Sequence, residues 1–303
     1  QETLGAAEHT RWLFTTSGTT GAPKVFAHTL ASLMVTVQPP RDTALQYRWG
    51  LTYQAHRFAG AQVVLQALSG GNLLVIPPSS DTGESARSFV AHAVNTLSAT
   101  PSQWRNLLSQ GDIRQCPLRQ ITLGGEIADQ AILSALAREF PAARIVHIYA
   151  STEAGVGFSV KDGKAGFPVE WLEQGSAPDL KISGSGSLLI KGPALSCSSE
   201  LNARLTEDGY LDTQDSVHLI NDRVMFLGRA TGIINVGGHK VHPEEVENLV
   251  REMPGVCNAV ASGRSSPIMG QLVLLEVQAD ALSNEEPGDL KRRVRDYCRA
   301  RLP

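Results

Sequence analysis

The stretch ITLGGEIADQAILSALAREFPAARIVHIY, residues 121–149, contains two short apolar runs with a longer segment between them. Ile121–Leu123 and Ile145–Tyr149 are the runs, and both have the length of a buried β-strand. Asp129–Phe140 lies between them and repeats its large apolar residues at helical spacing until Pro141 stops it. A strand, a helix and a second strand in this order predict a parallel pair with a right-handed crossover.

The same alternation extends towards the N-terminus as far as Leu73. Leu73–Ile76 and Leu97–Thr100 predict two further strands, with a helix over Glu84–Thr96 between them. Pro101 opens the next helix, because proline suits the first helical position. Strands without polar alternation are buried on both faces. We therefore predict an α/β fold with a mostly parallel sheet and flanking helices.

The pattern changes twice after residue 155. Residues 157–227 hold short β-rich pieces, and Asn221-Asp222 joins the last two at hairpin spacing, which predicts a small antiparallel β subdomain. Beyond Gly228–Gly238, an amphipathic helix starting at Pro243, two strands and a final helix predict a small α+β C-terminal domain. The expected division is a large domain over 1–228 (α/β about 1–155, β-rich about 156–228) and a hinge with a partial C-terminal domain over 229–303.

Composition and charge argue against several classes of protein. The 303 residues carry a net charge of -3, so the chain lacks the basic excess with which nucleic-acid binders neutralise phosphates. No run of about 18 apolar residues predicts a membrane span, and residues 1–20 lack a signal-peptide pattern. The 4 cysteines form no C-x-x-C pair, which predicts a reducing, cytoplasmic compartment. The 8 histidines show no metal spacing.

The densest chemical signal is TTSGTTGAPK, residues 15–24. Its hydroxyls, glycine amides and Lys24 could surround phosphate oxygens. It is not a Walker loop, because the two glycines are three residues apart and Pro23 separates the second from the lysine. By composition alone, a flexible Ser/Thr/Gly linker is an equal alternative.

The order of residues in this segment resembles the phosphate-binding signature of the AMP-forming adenylating enzymes, which include acyl- and aryl-CoA ligases, peptide-synthetase adenylation domains and luciferases. Further segments match the family's motifs in the right order, and together they extend the resemblance over nearly the whole chain. These segments are Leu123–Glu126, Ile148–Gly155, Gly209–Asp215, Gly228–Gly238 and Val241–Glu247.

The resemblance implies roles for individual residues. It makes Thr152, Glu153 and Lys24 catalytic, with Thr152 bonding the α-phosphate and Glu153 holding Mg²⁺ together with phosphate oxygens. Asp215 and Arg229 would reach the ribose, and the Tyr149 ring would lie flat against adenine. The full nucleotide-binding set is Thr16, Ser17, Gly18, Thr19, Thr20, Gly21, Gly124, Gly125, Glu126, Tyr149, Ala150, Ser151, Asp215 and Arg229.

The resemblance also implies an acid pocket and a path for a thiol. The acid pocket would include His56, Phe58, Gly60 and Gly155, with His56 or Phe58 as its gate. Arg57 either pairs with a substrate carboxylate or is exposed. Few charges occur in these segments, which predicts an apolar or aromatic acid. The thiol path would be formed by Gly237, Gly238 and His239 after the C-terminal domain rotates.

The sequence departs from the family pattern at several positions. Ala150 and Gln214 stand where relatives have glycine, and Thr231 stands at a hinge position that is commonly Asp or Lys. The family's closing G-K motif, whose lysine contacts the reacting carboxylate, is not reached before Pro303. We therefore expect a shortened form of a longer chain, a naturally short member, or a degenerate nucleotide binder. Without that lysine, adenylation should be slow while thioester formation from supplied acyl-AMP persists.

The sequence thus predicts an AMP-forming acid–thiol ligase that uses ATP and Mg²⁺ to activate a small carboxylic acid and then transfers the acyl group to coenzyme A. One alternative is a stand-alone adenylation domain that loads the phosphopantetheine of an acyl carrier protein. The other is a catalytically weak nucleotide-binding relative that lacks the C-terminal lysine.

Overall fold

A two-stranded antiparallel hairpin precedes the main sheet. The computed structural model describes residues 10–16, 24–37, 46–173, 179–192, 199–229, 232–266, 269–279 and 286–302. Strand β1 (Trp12–Thr16) pairs with β2 (Lys24–His28), and Phe14 lies opposite Phe26 with both side chains buried. Helix α1 (Leu30–Met34) follows, and Thr29 caps it by accepting a hydrogen bond from the Ser32 amide.

The main sheet combines parallel strands with one antiparallel strand at its edge. Its strands are β3 (Arg48–Leu51), β4 (Leu73–Val75), β5 (Thr96–Ala99), β6 (Gln120–Leu123), β7 (Arg144–Ser151) and β8 (Gly155–Val160). They lie in the order β4-β3-β5-β6-β7-β8, and only the β7–β8 pair is antiparallel. All residues of β5 are buried, as expected for a strand covered on both faces. The predicted α/β fold with a mostly parallel sheet is confirmed.

Helices cover both faces of this sheet. They are α2 (Phe58–Ser69), α3 (Thr82–Ala91), α4 (Pro101–Gln110) and α5 (Gln130–Glu139). On one face, Phe89 of α3, Trp104 of α4 and Leu136 of α5 join a fully buried cluster with β6. On the other face, Trp49 and Leu51 of β3 pack against α2. Alternate residues of a strand point to opposite faces, so β3 contacts both layers.

The helix predicted over Glu84–Thr96 ends earlier, at Ala91. Ala93 has a φ of 49°, a left-handed conformation that cannot continue a right-handed helix. Val94 and Leu97 are fully buried, but they lie in a loop and in β5. Their helical spacing therefore came from two different elements that contact the same core, and the prediction was wrong over these residues.

A smaller antiparallel sheet confirms the predicted β-rich subdomain. Its strands are β9 (Phe167–Pro168), β10 (Asp179–Ile182), β11 (Ser187–Lys191), β12 (Leu211–Ile220) and β13 (Arg223–Arg229), in the order β10-β11-β12-β13-β9. The hairpin predicted at Asn221-Asp222 joins β12 to β13, and Asn221 takes a φ of 53° there. Apolar side chains of this sheet, including Leu211 and Val224, form a core that also contains Phe158 of β8.

The C-terminal part is a four-stranded antiparallel sheet with two helices. Its elements are β14 (Ile234–Val236), β15 (His239–Val241), α6 (Pro243–Arg251), β16 (Val256–Ser266), β17 (Gly270–Ala279) and α7 (Pro287–Arg299). The strand order is β15-β14-β17-β16. Val250 of α6 and Leu290 of α7 pack into a separate small core. Among the described residues, no helix is long and apolar enough to cross a membrane.

An ionic network joins this part to the main sheet's helices. Arg251 of α6 lies 3.9 Å from the Asp129 carboxylate and 2.9 Å from Glu247. Asp129 caps α5 and also pairs with Arg105 of α4. The side chains of these arginines and of Asp129 are about nine-tenths buried, so water screens their charges weakly. The position of a domain boundary near residue 228 stays a prediction.

Candidate active site

One cavity of about 770 Å³ collects most of the predicted site residues that the structure describes. It lies where the hairpin, the carboxyl ends of β5 to β7 and the start of α2 meet, and it continues along the sheet face to Arg144. The carboxyl ends of parallel strands are the usual ligand position in open α/β sheets. The predicted residues that line it are Thr16, Lys24, Phe58, Gly124, Gly125, Ala150, Ser151, Thr152, Glu153 and Arg229.

The structure describes the two ends of the predicted phosphate loop. Thr16 ends β1 and Lys24 begins β2, so the hairpin brings both ends of the loop to the cavity. Ser17, Gly18, Thr19, Thr20 and Gly21 lie outside the described residues. Thr231, at the predicted hinge, lies outside them too.

A tight turn between β7 and β8 presents Thr152 and Glu153. Ser151 pairs with Gly155 across the turn, and the Ser151 hydroxyl accepts a hydrogen bond from the Ala154 amide at 2.9 Å. Gly155 has a φ of 68°, which glycine adopts without a Cβ penalty. Gly155 shapes this turn but does not line the cavity, so the structure does not place it beside an acid.

Sequence reasoning missed Arg204, which contacts the predicted magnesium ligand. Its Nη1 lies 3.7 Å from the Glu153 Oε1 atom, and both side chains are mostly buried. The Nε and Nη2 atoms of Arg204 donate to the Asp212 carbonyl at 2.9 and 2.7 Å, which fixes the guanidinium plane. Arg204 lines the cavity and adds positive charge beside Glu153. It stands a few residues before the Gly209–Asp215 motif, and no local pattern marks it.

Asp215 lies between Tyr149 and the half-exposed Arg229 in a polar cluster. Its carboxylate accepts hydrogen bonds from the Tyr149 hydroxyl at 2.5 Å and from the Arg229 Nε at 3.2 Å. Burial raises the pKa of Asp215, and burial followed by the Asp215 charge raises the pKa of Tyr149 well above its usual value. The preceding residue Gln214 has a φ of 63°, a left-handed conformation that glycine adopts without a Cβ penalty.

The structure does not bring the Tyr149 ring to the cavity. The ring stacks on Phe158, with centroids 5.1 Å apart, and on Phe226, with centroids 5.4 Å apart. The side chains of β7 alternate between its two faces, and those on one face line the cavity: Arg144, Val146, Ile148 and Ala150. Ala150 therefore lines the cavity, while Tyr149 packs into the core of the smaller sheet and donates to Asp215; its contact with adenine stays a prediction.

Two of the residues in the predicted adenine-side loop line the cavity and one does not. Gly124 and Gly125 line the cavity, and an added Cβ at Gly124 would lie 2.8 Å from the Ile148 Cγ1 atom. Glu126 points elsewhere, because its Oε2 accepts a hydrogen bond from the Ser102 amide in the first turn of α4. A carboxylate there offsets the positive end of the helix dipole.

On the acid side, Phe58 is the predicted residue that reaches the cavity. It is buried against Phe14, with ring centroids 5.6 Å apart, and lines the cavity wall. His56 is exposed and does not line the cavity. Gly60 does not line it either. Arg57 is exposed, lines the entrance and donates from Nη1 to the Thr15 carbonyl at 2.9 Å, which joins α2 to the hairpin.

The predicted thiol-path residues lie away from the cavity. Gly237 and Gly238, with φ values of 57° and 93°, form the two-residue turn between β14 and β15. His239 is exposed in β15, and none of these residues lines the cavity. Their predicted approach after a rotation of the C-terminal part stays a prediction.

The described residues contain no group of three or more His, Cys, Asp or Glu that could hold a metal ion by themselves. Glu153 offers one carboxylate in a cavity with room for a nucleotide. Mg²⁺ commonly binds through one or two carboxylates together with substrate phosphates and water. The donor set at Glu153 therefore fits magnesium that arrives with ATP.

Comparisons with known proteins identify the family of this chain. Residues 2–196 match the family model described as AMP-binding enzyme. The 2-succinylbenzoate–CoA ligase of Bacillus subtilis is 26% identical over 317 residues, covering 97% of this chain and 63% of the relative. The Listeria monocytogenes (serotype 4b) ligase of the same name is 25% identical over 296 residues, covering 89% of this chain and 60% of the relative.

A solved structure shows the same fold. The o-succinylbenzoate CoA synthetase of Bacillus subtilis, in complex with its acyl-adenylate intermediate, aligns with a TM-score of 0.69 at 23% identity. The alignment covers 96% of this chain and 62% of that one. The chain thus spans about three fifths of the length of these relatives. Because the family model covers well over half of its residues, the chain belongs to the AMP-binding enzyme family.

Proposed function

We propose that this cavity activates a carboxylic acid with ATP, as part of an AMP-forming acid–thiol ligase. The observation that carries the proposal is the convergence of Lys24, Thr152, Glu153 and Arg229 on one cavity from elements far apart in the sequence. Each of these residues alone has an ordinary structural explanation. A cavity lined by cations, a hydroxyl and a carboxylate suits a nucleotide triphosphate and its metal ion.

In the first step, a carboxylate oxygen of the acid attacks the α-phosphorus of ATP while the bond to the pyrophosphate oxygen breaks. The two reactants are anions that repel each other, so the site must hold them together and offset their charge. Lys24, Arg204 and Arg229 line the cavity and supply positive charge. The Thr152 hydroxyl is available to the α-phosphate, and Glu153 would hold Mg²⁺, which when bound neutralises phosphate charge.

Asp215 would position the ribose. It does not line the cavity itself, but Arg229 connects it to the cavity wall through the 3.2 Å hydrogen bond. A carboxylate has acceptor capacity for ribose hydroxyls beyond the bonds from Tyr149 and Arg229. Ribose contact through Asp215 then depends on a small movement of the Arg229 side chain, which is half exposed.

We assign an aromatic acid as the substrate class. Phe58, Val63 and Val156 give the cavity apolar walls, and Trp49 lines it near polar Gln66 and Asn72. The relatives are named for 2-succinylbenzoate, an aromatic acid with a second carboxylate. Apolar walls beside polar side chains suit an aromatic ring with a polar substituent.

In the second step, a thiolate sulfur attacks the acyl carbonyl carbon and AMP leaves. Gly237, Gly238 and His239 would have to move to reach the cavity, which requires rotation of the C-terminal part. Coenzyme A is the acceptor we propose, following the names of the relatives. A carrier-bound phosphopantetheine presents the same thiol.

The test is acid-dependent exchange of labelled pyrophosphate into ATP, run with aromatic, aliphatic and amino acids in a form of the protein that includes the lysine assigned to this step by the resemblance. We expect exchange with aromatic acids, and loss of exchange in Glu153→Gln. The matched control is Glu207→Gln, which alters an exposed carboxylate that does not line the cavity. Absence of exchange with every acid, in a chain that still binds AMP, would instead indicate a nucleotide binder without adenylation.

A further inference from the structure

We infer that His28 is a positioning residue that fixes the Thr152 turn to the phosphate-binding hairpin. This inference rests on the proposed function, because Thr152 matters only if the turn binds phosphate. The resemblance gave His28 no role, and the residue does not line the cavity. Its effect would be indirect, through the main chain of Thr152.

The geometry of His28 is specific. It is the last residue of β2, its side chain is fully buried, and its Nε2 lies 2.7 Å from the Thr152 carbonyl oxygen. A carbonyl oxygen only accepts hydrogen bonds, so Nε2 carries the proton. The Nδ1 atom lies 3.2 Å from the Ser32 hydroxyl in α1, whose single proton can be donated either to Nδ1 or to the Thr29 carbonyl at 3.0 Å.

The ring of His28 is also fixed by its apolar neighbours. Phe58 lies with its ring centroid 5.3 Å away and Phe14 lies 6.0 Å away in an edge arrangement. A ring with partners at both nitrogens and on its sides has little freedom to rotate. Burial lowers the pKa of His28, which favours the neutral ring that this arrangement requires.

Strand β2 connects His28 to Lys24 at the cavity. Lys24 and His28 are the two ends of β2, so the strand is a short rigid connection between them. The bond from His28 to the Thr152 carbonyl therefore sets where Thr152 and Glu153 stand relative to Lys24. Loss of the donor would leave the half-buried Thr152 carbonyl without this partner and would release the turn from the hairpin.

The test compares affinity for AMP with affinity for adenosine by isothermal titration calorimetry on the 303-residue chain. Adenosine lacks the phosphate, so displacement of Thr152 should weaken only AMP. We expect His28→Leu to lower AMP affinity about tenfold, with adenosine affinity unchanged, and His28→Gln to recover most of it. A glutamine amide can reach the position of Nε2 and donate to the same carbonyl.

His147→Leu is the matched control. His147 is on β7, its Nε2 also bonds a main-chain carbonyl, that of Lys164, at 3.0 Å, and it does not line the cavity. It should leave the AMP-to-adenosine affinity ratio unchanged whatever it does to stability. If His28→Leu does not fold, His28→Asn replaces it, because an asparagine amide reaches the Nδ1 position but not Nε2.

The possible results distinguish a failure of the proposed function from a failure of the role of His28. A wild-type chain that does not bind AMP contradicts the proposed function. If wild type binds AMP, two results contradict only the role of His28. One is an AMP-to-adenosine affinity ratio that does not change in His28→Leu, and the other is the same ratio in His28→Gln and His28→Asn. Equal loss of AMP and adenosine affinity also contradicts it, because that result indicates general destabilisation.

Discussion

Gly60 allows the sharpest test of what the structure adds to the sequence, because the two give it different roles. Family resemblance places it in the acid pocket, where a glycine leaves room for substrate. In the structure it is buried in the first turn of α2 and does not line the cavity. An ideal Cβ there would lie 2.1 Å from the Gln54 carbonyl oxygen and 2.9 Å from the Ala55 Cα.

The size of the effect follows from these contacts. An ordinary Cβ–O contact is 3.4 Å or more, so Gly60→Ala must displace main chain by more than 1 Å. Overpacking of this kind costs about 1–3 kcal/mol, and we expect the upper end because no flexible side chain can give way. At about 2–4 °C per kcal/mol for a cooperative unit of this size, Gly60→Ala should lower the melting temperature by about 6–12 °C.

The assay is thermal unfolding by circular dichroism together with pyrophosphate exchange over a panel of acids. Helix α2 carries Phe58 and Ala59 into the cavity wall, so exchange should fall for every acid alike. Gly184→Ala is the matched control, because its Cβ would meet open space. A Gly60→Ala chain that melts like wild type but prefers smaller acids would refute the reasoning and support the pocket role.

Three further predictions concern other parts of the structure. The raised pKa of Asp215 means that the folded chain keeps a proton that the unfolded chain loses above pH 3.8. The free energy of unfolding of wild type should therefore fall relative to that of Asp215→Asn as the pH rises from 3.8, and then become constant. Urea unfolding at several pH values measures both free energies, and parallel dependences on pH would contradict the prediction. Gln214→Gly should raise the free energy of unfolding by about 1 kcal/mol by relieving a left-handed conformation, which urea unfolding at neutral pH can detect and an unchanged or lower value would contradict. Arg223→Met should lower the free energy of unfolding by about 3 kcal/mol, because the Lys164, Ala165 and Gly166 carbonyls lose their buried donor; a loss below about 0.5 kcal/mol in chemical denaturation would show that these groups find other partners.

Local pattern predicted most of the elements but not all their boundaries. Pro101 and Pro243 begin their helices as predicted, and Asn221-Asp222 forms the predicted hairpin, because caps and turns depend on a few adjacent residues. The helix predicted to reach Thr96 ends at Ala91, because Ala93 takes a left-handed conformation. Periodicity alone does not show whether an apolar residue belongs to the helix or to the next strand.

The predicted site residues were likewise placed only in part by their motifs. Thr152, Glu153 and Arg229 reach the cavity that their motifs predict, whereas Tyr149 packs between aromatic rings outside it. Alternation along β7 places Tyr149 and Ala150 on opposite faces, and the packed fold decides which of the two faces borders the cavity. Arg204 and His28 escaped notice because their partners, Glu153 and the Thr152 carbonyl, are far away in the sequence.

The sequence by itself determined the α/β class, the order of the motifs and the residue types that a nucleotide needs, because these depend on spacing along the chain. Tertiary structure alone decided which of those residues share a cavity. It did so because strand register sets which face a side chain takes, and because buried hydrogen bonds such as that from His28 to Thr152 form between segments that only the packed fold brings together.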